Sequence, residues 1–169
     1  MAEAAQPAKS QSPGEAPCDN GPMPDTDTNH LLRHMLATLA YRGHKAIEGA
    51  NAAFATVQLG QGIRTPVQLL SHIGDLLVWS ATLVRGQERP SFRVASWDEE
   101  CARFDAALAD LDRCFLSHRL EPATEKRLLQ GPLSDAMTHI GQLAMMRRWA
   151  GDPLPPENYS RAPIEAGRF

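Results

Sequence analysis

Four stretches of this chain repeat apolar residues at intervals of three and four, and this spacing constrains the fold more than any other feature. The interval is that of one face of an α-helix, and no stretch shows the convincing alternation of a half-buried β-strand. A helix with one apolar face is stable when that face packs against another element. The sequence therefore predicts an all-α protein, a four-helix bundle.

The last of these helices is marked by its own start and stop signals. Gly131 and Pro132 open it, two arginines lie in its last turn, and Gly151 follows directly after its end. Its apolar stripe consists of six residues, Ala136, Met137, Ile140, Leu143, Ala144 and Met146. We expect this helix to be amphipathic and to pack its stripe into the core.

The second and third helices each begin with a capping box, in which two residues three apart satisfy each other's backbone N–H groups. Thr65 and Gln68 form the first box, and Gly86 ends the helix that follows it. Ser96 and Glu99 form the second box. A first helix is expected from about residue 28 to 49, and a long connection over 51–64 is expected to pack on the body or shape the mouth of a site.

Both ends of the chain differ from this helical pattern. Residues 1–26 are rich in Ala, Pro, Gly, Ser and Gln and carry no hydrophobic period, which predicts a disordered tail. Four prolines follow Gly151, so we expect an irregular C-terminal tail. The domain prediction is a tail over 1–26 and one bundle domain over 27–169.

Charge and cysteine content exclude several classes of function. The net charge of -3 and the isoelectric point near 6.1 argue against nucleic acid and anionic membrane as partners. Cys18, Cys101 and Cys114 match neither a zinc ribbon nor a CxxC pair, so reduced thiols are expected. No run of eighteen apolar residues and no secretion signal is found, and we therefore expect a cytoplasmic protein.

Asp135 and His139 are the residues most able to carry chemistry, because a spacing of four places both on one face of the last helix. His72 lies in the middle of the apolar second helix. Two histidines and one carboxylate are a common set of ligands for a divalent metal. The alternative is a hydrogen-bonded pair of Asp135 and His139 within a closed core.

Gln142 follows His139 by three residues and lies on the same face. It could orient a ligand, or it could bond a backbone carbonyl of a neighbouring helix, which is the role we favour from the sequence.

Two segments resemble the DinB / YfiT-like superfamily, RTPVQLLSHIGDLLVWS over 64–80 and THIGQLAMMRRWAGDPLPPENYSRAPI over 138–164. The resemblance extends from about Asn29 onward. It implies a bundle with up-down-down-up order that binds a divalent metal, often zinc or nickel, through three histidines. His72 is similar to the ligand on the second helix and His139 to the second ligand on the fourth. Asp135 stands where that pattern has a histidine.

The resemblance also implies a class of activity. Some members are S-transferases or isomerases that use low-molecular-weight thiols such as bacillithiol or mycothiol, and many form homodimers. A metal-dependent thiol S-transferase or hydrolase-like enzyme is therefore one expectation. The other is a non-catalytic, stress-associated or small-molecule-binding bundle.

Overall fold

A computed structural model describes residues 28–50, 52–60 and 62–169, and the tail predicted over 1–26 lies outside these ranges. The described residues form helices and no β-strand, so the all-α prediction is confirmed. The α-helices are α1 (Thr28–Ile47), α2 (Ala52–Ala55), α3 (Pro66–Arg85), α4 (Trp97–Ser117), α5 (Pro122–Leu128) and α6 (Ser134–Trp149). A π-helical segment, Leu129–Leu133, joins α5 to α6, and Tyr159–Arg161 form one 3-10 turn in the C-terminal tail.

The core lies between the four long helices. Helix α1 packs on α4 and α6, and α3 packs on the same two helices. The largest side chains sealed between them are Leu36, Leu39, Leu70, Ile73, Leu77, Phe104, Leu108, Leu111, Phe115 and Leu143. Of the stripe predicted on α6, four residues are buried and the other two pack against the core.

Both predicted capping boxes are present. Gln68 Oε1 accepts a hydrogen bond from the Thr65 backbone N–H at 2.9 Å, and the Gln68 N–H donates to Thr65 Oγ1. Ser96 and Glu99 make the equivalent pair at the start of α4. Helix α3 ends at Gly86, whose φ of 65° is a left-handed conformation that glycine adopts without strain.

The start of α6 differs from the prediction. The helix does not open at Gly131 and Pro132, because α5 continues into it through the π-helical segment. Gly131 leaves the helical region with φ −101° and ψ −107°, and Pro132 has no N–H to donate. The wider turn accommodates both residues, and Ser134 donates its hydroxyl to Leu129 O at 2.6 Å. Asp135 therefore lies in the first turn after a kink.

Helix α3 is long and apolar enough to cross a membrane by length and composition alone. In this structure 56% of the apolar window is buried among the other helices. Such burial is typical of a core helix in a bundle, and we assign α3 that role.

A buried arginine, Arg147, fastens the end of α6 to the end of α1. Its guanidinium donates to Glu48 O at 2.8 Å and to Ala46 O at 3.4 Å, two carbonyls at the C-terminal end of α1. Asp152 forms an ion pair with the same guanidinium. Further along the irregular tail, Glu157 pairs with Lys45 of α1.

A second arginine, Arg103 of α4, joins α4 to α3. Its guanidinium forms ion pairs with Asp75 of α3, at 2.7 Å, and with the fully buried Glu100 of α4. It also donates a hydrogen bond to Ser71 O at 2.6 Å. The Arg103 guanidinium lies against Gly74. A Cβ added to Gly74 would be 3.0 Å from Arg103 Cζ. The arginine therefore contacts three positions of the α3 turn that carries His72.

We expect Glu100→Ala to lower the free energy of unfolding by about 2 to 3 kcal/mol. The substitution removes one carboxylate from a buried ion pair, leaves Arg103 with Asp75 as its charged partner, and frees the Ala95 N–H that Glu100 accepts at 2.8 Å. Urea denaturation followed by circular dichroism measures the change. The exposed Glu88→Ala variant is the control and should stay within about 0.5 kcal/mol of the parent. Equal losses in both variants would contradict this account.

Candidate metal centre

The structure brings together the three residues selected from the sequence. Asp135 reaches both histidines, with Oδ2 3.6 Å from His72 Nε2 and Oδ1 3.2 Å from His139 Nε2. The two imidazole rings meet edge to face with centroids 4.9 Å apart. One ligand atom from each residue lies within 4.8 Å of the others, so a single ion could contact all three.

Two helices position these side chains. His72 projects from the middle of α3, in the turn whose neighbours Ser71 and Asp75 are held by Arg103. Asp135 and His139 project from consecutive turns of α6, immediately after the kink at Gly131. The site therefore depends on the packing of α3 against α6.

Burial and charge favour the neutral form of His72. Desolvation, followed by the positive charges of Arg64 and His139, lowers the pKa of this imidazole below its ordinary value, and the carboxylates of Asp135 and Asp75 only partly oppose the change. A neutral imidazole has a free nitrogen lone pair, which is the form that binds a metal. Lowering of the pKa therefore prepares His72 as a ligand at neutral pH.

Gln142 orients His139, which corrects the role favoured from the sequence. Its Oε1 lies 2.8 Å from His139 Nδ1, and because a carbonyl oxygen only accepts, Nδ1 carries the hydrogen. In the neutral ring the lone pair then lies on Nε2, which faces Asp135 Oδ1 at 3.2 Å. Two electron-rich atoms so close need a cation between them, either a proton on the ring or a metal ion.

The donor atoms are grouped near the spacing that a metal ion with short bonds requires. Zinc binds nitrogen and oxygen at about 2.0 to 2.1 Å in a tetrahedron, which places neighbouring ligand atoms about 3.3 Å apart. Different oxygens of Asp135 lie 3.2 Å from His139 Nε2 and 3.6 Å from His72 Nε2, and one ligand atom from each of the three residues lies within 4.8 Å of the others, so the side chains would draw closer together around an ion. Three protein ligands would leave one position of a tetrahedron for water or substrate.

The alternative of a closed core pair does not match the surroundings of Asp135. Its side chain is 47% exposed, whereas that of His139 is 12% exposed. The carboxylate therefore lies at the surface edge of the cluster, where an ion or a small molecule has access.

Two clefts flank the cluster. The larger has a volume of about 490 Å³ and contains His139 and Gln142, with apolar walls that include Leu69 and Met146. The smaller, about 340 Å³, contains His72 and Asp75. Residues Leu59, Gly62, Ile63 and Arg64 of the connection over 51–64 line the larger cleft, and Phe54 and Val57 of the same connection pack on the core.

Arg64 lines both clefts, and the sequence analysis did not select it. Its position directly before the Thr65 cap was the one local signal, and a single exposed arginine is too common to be informative. Its proximity to His72 arises from the tertiary structure.

His44 offers a useful contrast to the cluster. Its Nε2 lies 2.7 Å from Asp105 Oδ1, a His–Asp pair between α1 and α4. This pair lies outside the three-residue group, and we use it below as a matched control.

The two cysteines that the structure describes are not activated nucleophiles. Burial, reinforced by Asp105, Asp98 and Glu100, raises the pKa of the Cys101 thiol to about 11. Burial also raises the pKa of Cys114. Cys18 lies outside the described residues.

Comparison of the chain with protein-family models, with curated proteins and with solved structures gave no match.

We expect Cys101 and Cys114 to resist alkylation by iodoacetamide in the native protein. An increase in pKa from 9.0 to about 11 lowers the thiolate fraction of Cys101 roughly a hundredfold. Mass spectrometry of a Cys18→Ser variant at pH 7.5 measures labelling of the two, and the same protein in urea is the control. Rapid labelling of Cys101 in the native state would contradict the argument.

Proposed function

We propose that this chain binds a divalent metal ion through His72, Asp135 and His139 and belongs with the DinB / YfiT-like proteins that it resembles. One observation carries the proposal. Gln142 holds His139 so that its second nitrogen faces the Asp135 carboxylate, with His72 beside both. This arrangement joins three ligands with a partner that orients one of them, as metal sites usually do.

Zinc and nickel are the ions we expect. Two imidazoles suit zinc, nickel and copper, and the Asp135 carboxylate adds a harder ligand and a negative charge that offsets part of the charge of the ion. With two neutral histidines and one aspartate, the divalent site would carry a net charge of about +1.

The contacts between helices support the up-down-down-up order of that superfamily. Arg33 and His44 of α1 pair with Asp112 and Asp105 of α4 respectively, which is an antiparallel arrangement. Along α3 and α4 the pairs run in the same direction, from Asp75 with Arg103 to Arg85 with Asp110.

The contacts of α6 also support that order. His72 of α3 meets Asp135 near the start of α6, while Arg147 near its end bonds the final carbonyls of α1. Helix α6 is then antiparallel to α3 and parallel to α1.

The activity that we propose is transfer of a low-molecular-weight thiol to an electrophilic substrate. A divalent ion held by His72, Asp135 and His139 would supply Lewis acidity, which would lower the pKa of a bound thiol. Gln142 fixes the His139 ring, and apolar side chains line the cleft beside it. A hydrolase-like reaction would use water at the same position.

The second candidate is a non-catalytic, small-molecule-binding or stress-associated bundle. The cleft of about 490 Å³ favours this candidate, because its volume is within the range of small-molecule sites, about 300 to 1,000 Å³. Under either candidate we propose a cytoplasmic homodimer without nucleic acid or membrane as a partner, which the acidic balance of the chain supports.

We expect untagged protein to contain about one equivalent of zinc or nickel after reconstitution, and His72→Ala, Asp135→Ala and His139→Ala to lose most of it. Elemental analysis after gel filtration measures the content, and circular dichroism verifies the fold. His44→Ala removes a histidine that also faces an aspartate and should retain the metal. Loss of metal in this control, or none in the parent, would contradict the site.

We also expect cobalt-loaded protein to develop a thiolate-to-metal charge-transfer band when bacillithiol is added. The band requires sulfur at the open position, so it reports thiol coordination directly. A variant with all three cysteines replaced by serine is the control, because a band that persists there comes from the added thiol. Metal binding without such a band would support the non-catalytic candidate.

A further inference from the structure

The larger cleft combines an apolar wall with a cation, Arg64, in its lining. Arg64 is exposed, and no carboxylate among residues 28–50, 52–60 and 62–169 forms an ion pair with it. By contrast, Arg85 of α3 pairs with Asp110, and Arg103 of α4 pairs with Asp75. Because no carboxylate of the described residues engages it, the Arg64 guanidinium has donors available for an anion.

The wall of the cleft is suited to a hydrocarbon group. Leu69 and Met146 are buried, while Ile63 and Met145 are each 51% exposed. The apolar lining of the cleft, to which Arg64 also contributes, thus includes both core and exposed side chains. Exposed large apolar side chains that face a concave surface mark a binding site more often than isolated ones do.

We propose that this cleft binds a small apolar carboxylate, with its hydrocarbon part along the exposed side chains of Ile63 and Met145 and its carboxylate on the Arg64 guanidinium. One arginine balances a single negative charge, and its planar fork matches the two oxygens of a carboxylate. A phosphate monoester carries nearly two charges and would leave one uncompensated.

The placement of the cleft connects this ligand to the metal centre. His139 and Gln142 form part of its lining, so the far end of a bound molecule reaches the ligands of the proposed ion. As a statement about the substrate, the inference depends on the proposed function. Binding of the carboxylate by the cleft does not require the metal, and the two can be tested separately.

The test is binding of octanoate to full-length protein freed of metal by chelation, measured by isothermal titration calorimetry. Without metal, a carboxylate cannot bind by coordination to an ion. We expect octanoate to bind at least about tenfold more tightly than octan-1-ol, and Arg64→Gln to remove that difference while leaving the alcohol affinity unchanged. The exposed Arg127→Gln variant of α5 is the matched control and should behave as the parent.

Each outcome decides the matter. Unchanged affinity for octanoate in Arg64→Gln, equal affinity for acid and alcohol, or no binding at millimolar concentration would overturn the inference. Retained alcohol binding in Arg64→Gln shows that the cleft is intact, so loss of the acid preference cannot be attributed to unfolding. Arg64-dependent binding in protein that never takes up zinc or nickel would support the cleft and refute the metal centre.

Discussion

A partly buried arginine ties α4 to the turn of α3 that carries His72, and the position of the candidate site depends on that contact. Arg103 holds Ser71 and Asp75, one on each side of His72 along α3, while the buried Glu100 pairs with it from its own helix. A guanidinium that is largely withdrawn from water is unfavourable unless its charge and its donors are matched. These hydrogen bonds and ion pairs fix the turn of α3 that carries His72. The His72 side chain is therefore held in a defined position relative to the core.

A second constraint acts at the start of α6. Pro132 cannot donate a backbone hydrogen bond, and Gly131 takes a conformation outside the helical region, so the chain widens there before α6 begins. Asp135 and His139 follow on the next two turns and face α3. Strain and functional groups often occur together in this way, because an irregular turn can aim side chains that a regular helix would point elsewhere.

The larger cleft would serve under both candidate functions, the catalytic and the non-catalytic one. A metal ion held by His72, Asp135 and His139 would lie beside this cleft, which His139 and Arg64 both line. A site with a Lewis acid, an apolar wall and an anion-binding group could orient a substrate for thiol transfer. The same wall and charge without a metal would bind an apolar acid and do no chemistry.

The sequence by itself determined the four long helices, apart from the start of α6, and two of their caps, because hydrophobic spacing and Thr65–Gln68 or Ser96–Glu99 pairs act within a few residues. It also placed Asp135 and His139 on one face, since helical geometry is local. The tertiary structure decided that His72 meets them, that Gln142 bonds His139 and not a neighbouring backbone, and that Arg64 flanks both clefts. Some of these contacts join segments dozens of residues apart, and others depend on the rotamer of a side chain. The spacing of residues along the chain carries no information about distant contacts or rotamers.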